Sequence, residues 1–179
     1  MKKFLTLIAV VTIGFAAKAQ YTPKNALKVN PISAIVKTGN ISYERAIAKN
    51  QSFQLGAFYS AIGLDDLQYR GFGITPEYRL YLGGKNEALN GGYVAPFGRY
   101  QQFTIGEKSS DGKAKFETLG AGFVLGYEKA SASGFVIDVF VGPSFSNIKF
   151  KAGNESDYEL RNNFKGFGIR SGISVGFTF

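Results

Sequence analysis

Apolar and non-apolar residues alternate with period two along most of this chain. From residue 165 to the end, the odd positions read Phe167, Ile169, Ser171, Ile173, Val175, Phe177 and Phe179. The even positions read Gly166, Gly168, Arg170, Gly172, Ser174, Gly176 and Thr178. A helix cannot hold one apolar face at that period, so the segment predicts a strand. The pattern recurs in Phe53, Leu55, Ala57 and Tyr59, in Phe72, Ile74, Pro76, Tyr78, Leu80 and Leu82, in Leu119, Ala121, Phe123, Leu125 and Tyr127, and in Phe135, Ile137, Val139 and Val141. Residues 26–36, 41–48 and 93–105 bring the count of predicted strands to eight. Pro31 and Pro96 interrupt two of these, and each predicts a bulge or a strand end. The fold expected is all-β: one eight-stranded antiparallel up-and-down β-barrel over residues 20–179.

Which face is outside depends on the non-apolar positions. A soluble barrel points its apolar face inward and shows water a face rich in Lys, Glu and Thr. Here the second face is mainly glycine and other small residues with isolated charges. Glycine has low strand propensity and suits the crowded axis of a narrow barrel better than a solvated surface. Most lysines lie at strand ends and in the connections, as at Lys85, Lys108, Lys113, Lys115, Lys149 and Lys151. An apolar exterior on a closed sheet is what lipid demands, so a transmembrane barrel is expected. Residues 49–51 and 131–133 read as short turns at one end. Residues 63–69, 106–114 and 151–162 read as longer polar loops at the other, where residues 37–40 form an unusually short link. Residues 83–92 are unusually long for a periplasmic turn.

The N-terminus sets the compartment. Met1-Lys2-Lys3 precedes an apolar run from Phe4 to Ala17, and Ala17-Lys18-Ala19 has the small-x-small form of a signal-peptidase site. Residues 1–19 are expected to be a cleaved signal peptide, too short for a membrane anchor. The chain has no Cys, which removes a lipid-anchor thiol, disulfides and thiolate metal sites. The formal charge is +8 from 21 Lys+Arg and 13 Asp+Glu; without Lys2, Lys3 and Lys18 it becomes 18 minus 13, or +5. A mild excess with no basic stripe argues against nucleic acid and suits anionic lipid headgroups or sugars.

No catalytic constellation or cofactor motif emerges. The chain has no His, so a Ser nucleophile would lack an imidazole base. Asn154, Glu155, Asp157 and Glu159 crowd oxygen ligands into one loop, but without the spacing of a calcium loop. The pair Asp65-Asp66 reads as an exposed turn. Gly120, Gly122 and Gly126 lie inside a strand with no helix after it, unlike a nucleotide loop. The charges expected to point inward are Glu44, Glu77, Arg79, Arg99, Glu128, Asp138 and Arg170. In so narrow a lumen they are expected to pair into a salt-bridged plug rather than an ion path. Counting back along residues 83–92 sets Glu77 opposite about position 97, so a diagonal Glu77–Arg99 pair is expected.

The stretches Asn25-Ala-Leu-Lys-Val-Asn-Pro31, Ile41-Ser-Tyr-Glu-Arg45, Pro76-Glu-Tyr-Arg79 and Ser174-Val-Gly-Phe-Thr-Phe179 resemble the small eight-stranded outer-membrane barrels of Gram-negative bacteria, the class of OmpX and the OmpA transmembrane domain, with an uncharacterised subgroup most similar. The resemblance implies localisation in the outer membrane. It also implies that Phe177 and the terminal Phe179 act as the signal read by the assembly machinery. Outer-membrane lipids and lipopolysaccharide are the partners expected, and the barrel is expected to be a monomer. The function expected is non-enzymatic, a structural or surface-interaction role through the outer loops. The alternative is a narrow channel or transporter for small or hydrophobic molecules.

Overall fold

The computed structural model describes residues 23–64, 67–82, 87–107, 113–152 and 164–179. Nine elements follow in chain order: β1 (Asn25–Val29), α1 (Pro31–Ile35), β2 (Thr38–Ala48), β3 (Gln51–Leu64), β4 (Leu67–Tyr81), β5 (Gly91–Glu107), β6 (Lys113–Ala130), β7 (Phe135–Ala152) and β8 (Phe164–Thr178). Each strand pairs antiparallel with its neighbour in sequence, and β1 pairs with β8, so the sheet closes on itself as an all-β up-and-down barrel. The closing ladder ends at the termini, where the Asn25 amide donates to the Phe179 carbonyl at 3.0 Å and the Phe179 amide to that of Asn25 at 2.8 Å.

The period-two pattern becomes a division between inside and outside. Leu55, Ile74, Phe123, Leu125, Ile137, Val139, Ile173 and most other apolar members of each alternation are exposed on the outer wall, with Pro76, Leu80 and Val175 half-buried there. Their alternation partners face the lumen, where Ser42, Gln54, Thr75, Glu77, Thr118 and Ser174 are buried. Two inward glycines sit where the barrel wall itself is close. A Cβ on Gly176 would lie 1.9 Å from the Leu27 carbonyl oxygen, and one on Gly142 would lie 2.0 Å from that of Phe123.

Several boundaries differ from those the pattern predicts. The strand expected over 26–36 stops at Val29, because Asn30 caps a one-turn helix: its side chain accepts from the Ile32 and Ser33 amides, with Pro31 at the first helical position. The connection expected at 37–40 is therefore mostly strand, since β2 starts at Thr38 and α1 makes the link. The long loop expected at 63–69 shrinks to residues 65–66, because β3 and β4 stay paired as far as Leu64 and Leu67. Pro96 neither ends a strand nor makes a bulge. It lies within β5 on the outer face, and the β4–β5 register is the same on both sides of it, from Ile74 opposite Tyr100 to Leu80 opposite Val94. Proline lacks an amide, and Pro76 and Pro96 sit on this same ladder, which is interrupted beside both.

Candidate functional site

The lumen holds a buried charge network near the end where Asn25 meets Phe179. Inward positions of six strands supply it: Lys28 from β1, Glu44 from β2, Glu77 and Arg79 from β4, Glu128 from β6, Asp138 from β7 and Arg170 from β8. Arg79 is its hub. Nη1 lies 3.0 Å from Glu44, 2.8 Å from Glu128 and 2.9 Å from Asp138, while Nη2 reaches Glu77 at 3.3 Å. The Lys28 ammonium stands among the same three carboxylates, bonded to Glu44, at 3.0 Å from Glu128 and 3.2 Å from Asp138.

Two tyrosines and a serine satisfy lone pairs that the cations leave over. Tyr81 Oη donates to Glu44 at 2.8 Å or to Glu128 at 2.9 Å. Tyr93 Oη donates to Asp138 at 2.7 Å, and the Arg79 guanidinium stacks over the Tyr93 ring at 4.3 Å. Ser52 Oγ donates to Glu44. With Tyr81, Tyr93, Ala95, Phe97 and Val124 packed beside it, the network fills this part of the lumen.

Of the seven charges expected to face inward, the structure joins Glu44, Glu77, Arg79, Glu128, Asp138 and Arg170 through ion pairs. Arg99 is also inward, but the expected Glu77–Arg99 pair does not form. Phe97 is indeed opposite Glu77. The ion pairs of Glu77 among the described residues go instead to Arg79 at 3.3 Å and, across the lumen, to Arg170 at 2.5 Å. Arg99 lies 5.8 Å from the Phe97 ring centroid, and its Nε has no hydrogen-bond partner among the described residues. The diagonal rule sees only neighbouring strands, whereas the lumen brings β8 to β4.

Lys28 is the residue that the sequence reading missed. Ala26 and Lys28 alternate with Leu27 and Val29, which would have set the lysine inward; the proline at 31 obscured the facing of this strand. Tyr81 and Tyr93 were also missed, since nothing local marks a tyrosine as a donor to a carboxylate two strands away.

The two phenylalanines assigned to assembly lie on the outer wall. Phe177 meets Phe135 edge to face at 5.7 Å, and Phe179 is exposed with its backbone closing the ladder. Residues 1–19, the oxygen-rich loop at 154–159 and Asp65-Asp66 lie outside the described residues.

A family model matches residues 4–168, most of the chain, under the description "Protein of unknown function (DUF3575)". No curated protein and no solved structure matches.

Proposed function

The chain belongs to the DUF3575 family, and from that premise we propose that it is a non-enzymatic outer-membrane protein that acts through its outer loops. The observation that carries this reading is the inverted division of the barrel, with large apolar side chains exposed around the wall and charged ones buried within. Water would penalise that arrangement, and lipid requires it. Two further features support it. Strands β3 to β8 run 14 to 18 residues, longer than the roughly 9–11 residues that cross a bilayer at a tilt. The strand number is also that of the small OmpX-like barrels which the sequence resembles. The signal-like N-terminus supplies export, and the basic excess suits lipopolysaccharide or other anionic surface partners.

The filled lumen argues against a continuous aqueous path, since four carboxylates and three cations close it within hydrogen-bond distance. Fractionation tests the placement. The protein is expected in the outer-membrane fraction and resistant to carbonate extraction; release by carbonate would overturn the membrane reading.

A further inference from the structure

Among the described residues, the ladder that closes the barrel covers only part of β8. β1 pairs with β8 only from Ala26 opposite Thr178 to Val29 opposite Val175. Among the described residues, no strand continues that ladder along β8 from Ser174 back to Phe164. In an antiparallel strand the backbone groups point alternately to the two neighbours, so part of the β8 backbone faces this gap. Helix α1 stands there instead, packed on β2 and β8, with the Asn30 amide donating to the Asn40 carbonyl at 3.3 Å.

Two spaces meet at this gap. Outside, a groove of about 710 Å³ crosses β6, β7 and β8 to the helix, lined mainly by apolar side chains such as Ile32, Leu125, Val139 and Ile173. Inside, at the edge of the charge network, lies a cavity of about 50 Å³ lined by polar groups including Gln54, Glu77, Arg99 and Arg170. Asn30 and Phe140 line both. Gly172 stands between them on β8, where a Cβ would lie 2.6 Å from the Phe140 ring and 3.3 Å from Asn30 Nδ2. The groove and the cavity are thus separated by Asn30 and by Phe140, which packs on Gly172.

The inner cavity has cationic hydrogen-bonding capacity that the protein does not use. The Arg170 side chain is nine-tenths buried, held between the Phe97 and Phe140 rings at 4.6 Å each, yet only its Nη2 has a hydrogen-bond partner. Among the described residues its Nε and Nη1 have none, nor does Arg99 Nε. The one carboxylate lining the cavity, Glu77, is already shared between Arg79 and Arg170, so two guanidiniums face it with less than one anion between them. Buried donors left in this state favour an oxyanion.

We propose that this gap is a lateral port and that the lumen binds a single-chain amphiphile with a carboxylate head. The carboxylate sits against Arg170 and Arg99, and the alkyl chain passes Asn30, Gly172 and Phe140 into the outer groove. A guanidinium donates readily to a carboxylate, and a cavity of about 50 Å³ can take a group that small, since a water needs roughly 10–15 Å³. The chain needs an apolar path, and the groove supplies one that opens where lipid would be. The proposal rests on the membrane reading above.

The test uses the full chain refolded in neutral phosphatidylcholine nanodiscs, with palmitate bearing a photoreactive diazirine near its carboxyl end. Labelling is expected at Phe140, Gly172 and the inner cavity. Unlabelled palmitate is expected to compete; palmityl alcohol, acetate and inorganic phosphate are not. Arg170→Gln and Arg99→Gln should each weaken binding about tenfold or more, as the loss of a charge-assisted hydrogen bond implies, while outward Arg45→Gln leaves it unchanged. Label spread over the outer wall and equally displaced by the alcohol would overturn the proposal. So would protection by acetate or phosphate alone, which would mean a free-ion site. Where a variant fails to fold, the wild-type labelling map and its competition decide. A barrel that integrates into lipid but shows no such labelling sinks the port alone, whereas one released by carbonate sinks the membrane reading.

Discussion

At the scale of single residues, the energetics of the lumen centre on Lys28 and Arg79. Three carboxylates surround the ammonium, and in a buried network the loss of one partner leaves charges uncompensated. Lys28→Met is therefore expected to destabilise the barrel by about 3–5 kcal/mol in urea unfolding from detergent or lipid. The outward Arg45→Gln should change it by less than about 0.5 kcal/mol. The Glu77–Arg170 pair spans the lumen, so Glu77→Gln and Arg170→Gln should couple in a double-mutant cycle by about 0.5–3 kcal/mol. Glu77→Gln and Arg99→Gln should be closer to additive, because no ion pair joins them. The glycines divide in the same local way. Gly142→Ala would drive a Cβ to 2.0 Å from a backbone oxygen that cannot swing aside, whereas nothing lies within 4 Å of one at Gly166. The first substitution is expected to abolish refolding and the second to leave the urea midpoint almost unmoved.

At the scale of elements, the seam between β1 and β8 is where the barrel is weakest. Four residue pairs close it, against fourteen between β7 and β8. Local opening follows the density of protected hydrogen bonds, so β8 amides facing the gap between residues 166 and 174 should exchange with deuterium well before those of β6. Equal protection of both would mean that α1 seals the gap. The helix depends on Asn30, whose side chain accepts from two amides of its first turn. Asn30→Ala is expected to cost about 0.5–2 kcal/mol and to speed exchange along β8 selectively.

At the scale of the whole molecule, a lumen filled by charges and a short closing ladder make different demands on transport. An ion crossing along the axis would have to displace Arg79 and Lys28 from their carboxylates, so planar bilayers containing the wild-type barrel are expected to stay electrically silent. Stable conductance above background would restore the channel reading. A molecule entering sideways need not displace Lys28 or Arg79 from Glu44, Glu128 and Asp138, because the cavity meets the network only at Glu77 and Arg170. The strands also exceed the length needed to cross a bilayer, so on the proposed membrane placement β5, β6 and β7 would stand beyond the lipid as a scaffold for the loops they carry.

The sequence by itself determined the number of strands and, for the five with unbroken alternation, which face turns outward. Those follow from a local period of two, which any extended chain expresses without knowing its neighbours. It also determined that charges such as Glu44 and Asp138 would lie inside, since they alternate with lipid-suited side chains on the same strand. It could not determine which charge meets which. That depends on the stagger of strands around a closed barrel, which carries Arg170 of β8 to Glu77 of β4 and leaves Arg99 without that partner. Nor could alternation show that β1 stops after five residues, because Asn30 and Pro31 trade a strand for a helical turn through capping bonds rather than hydrophobic pattern. The opening beside β8 exists only once the sheet closes around that short strand, so only the tertiary structure decided it.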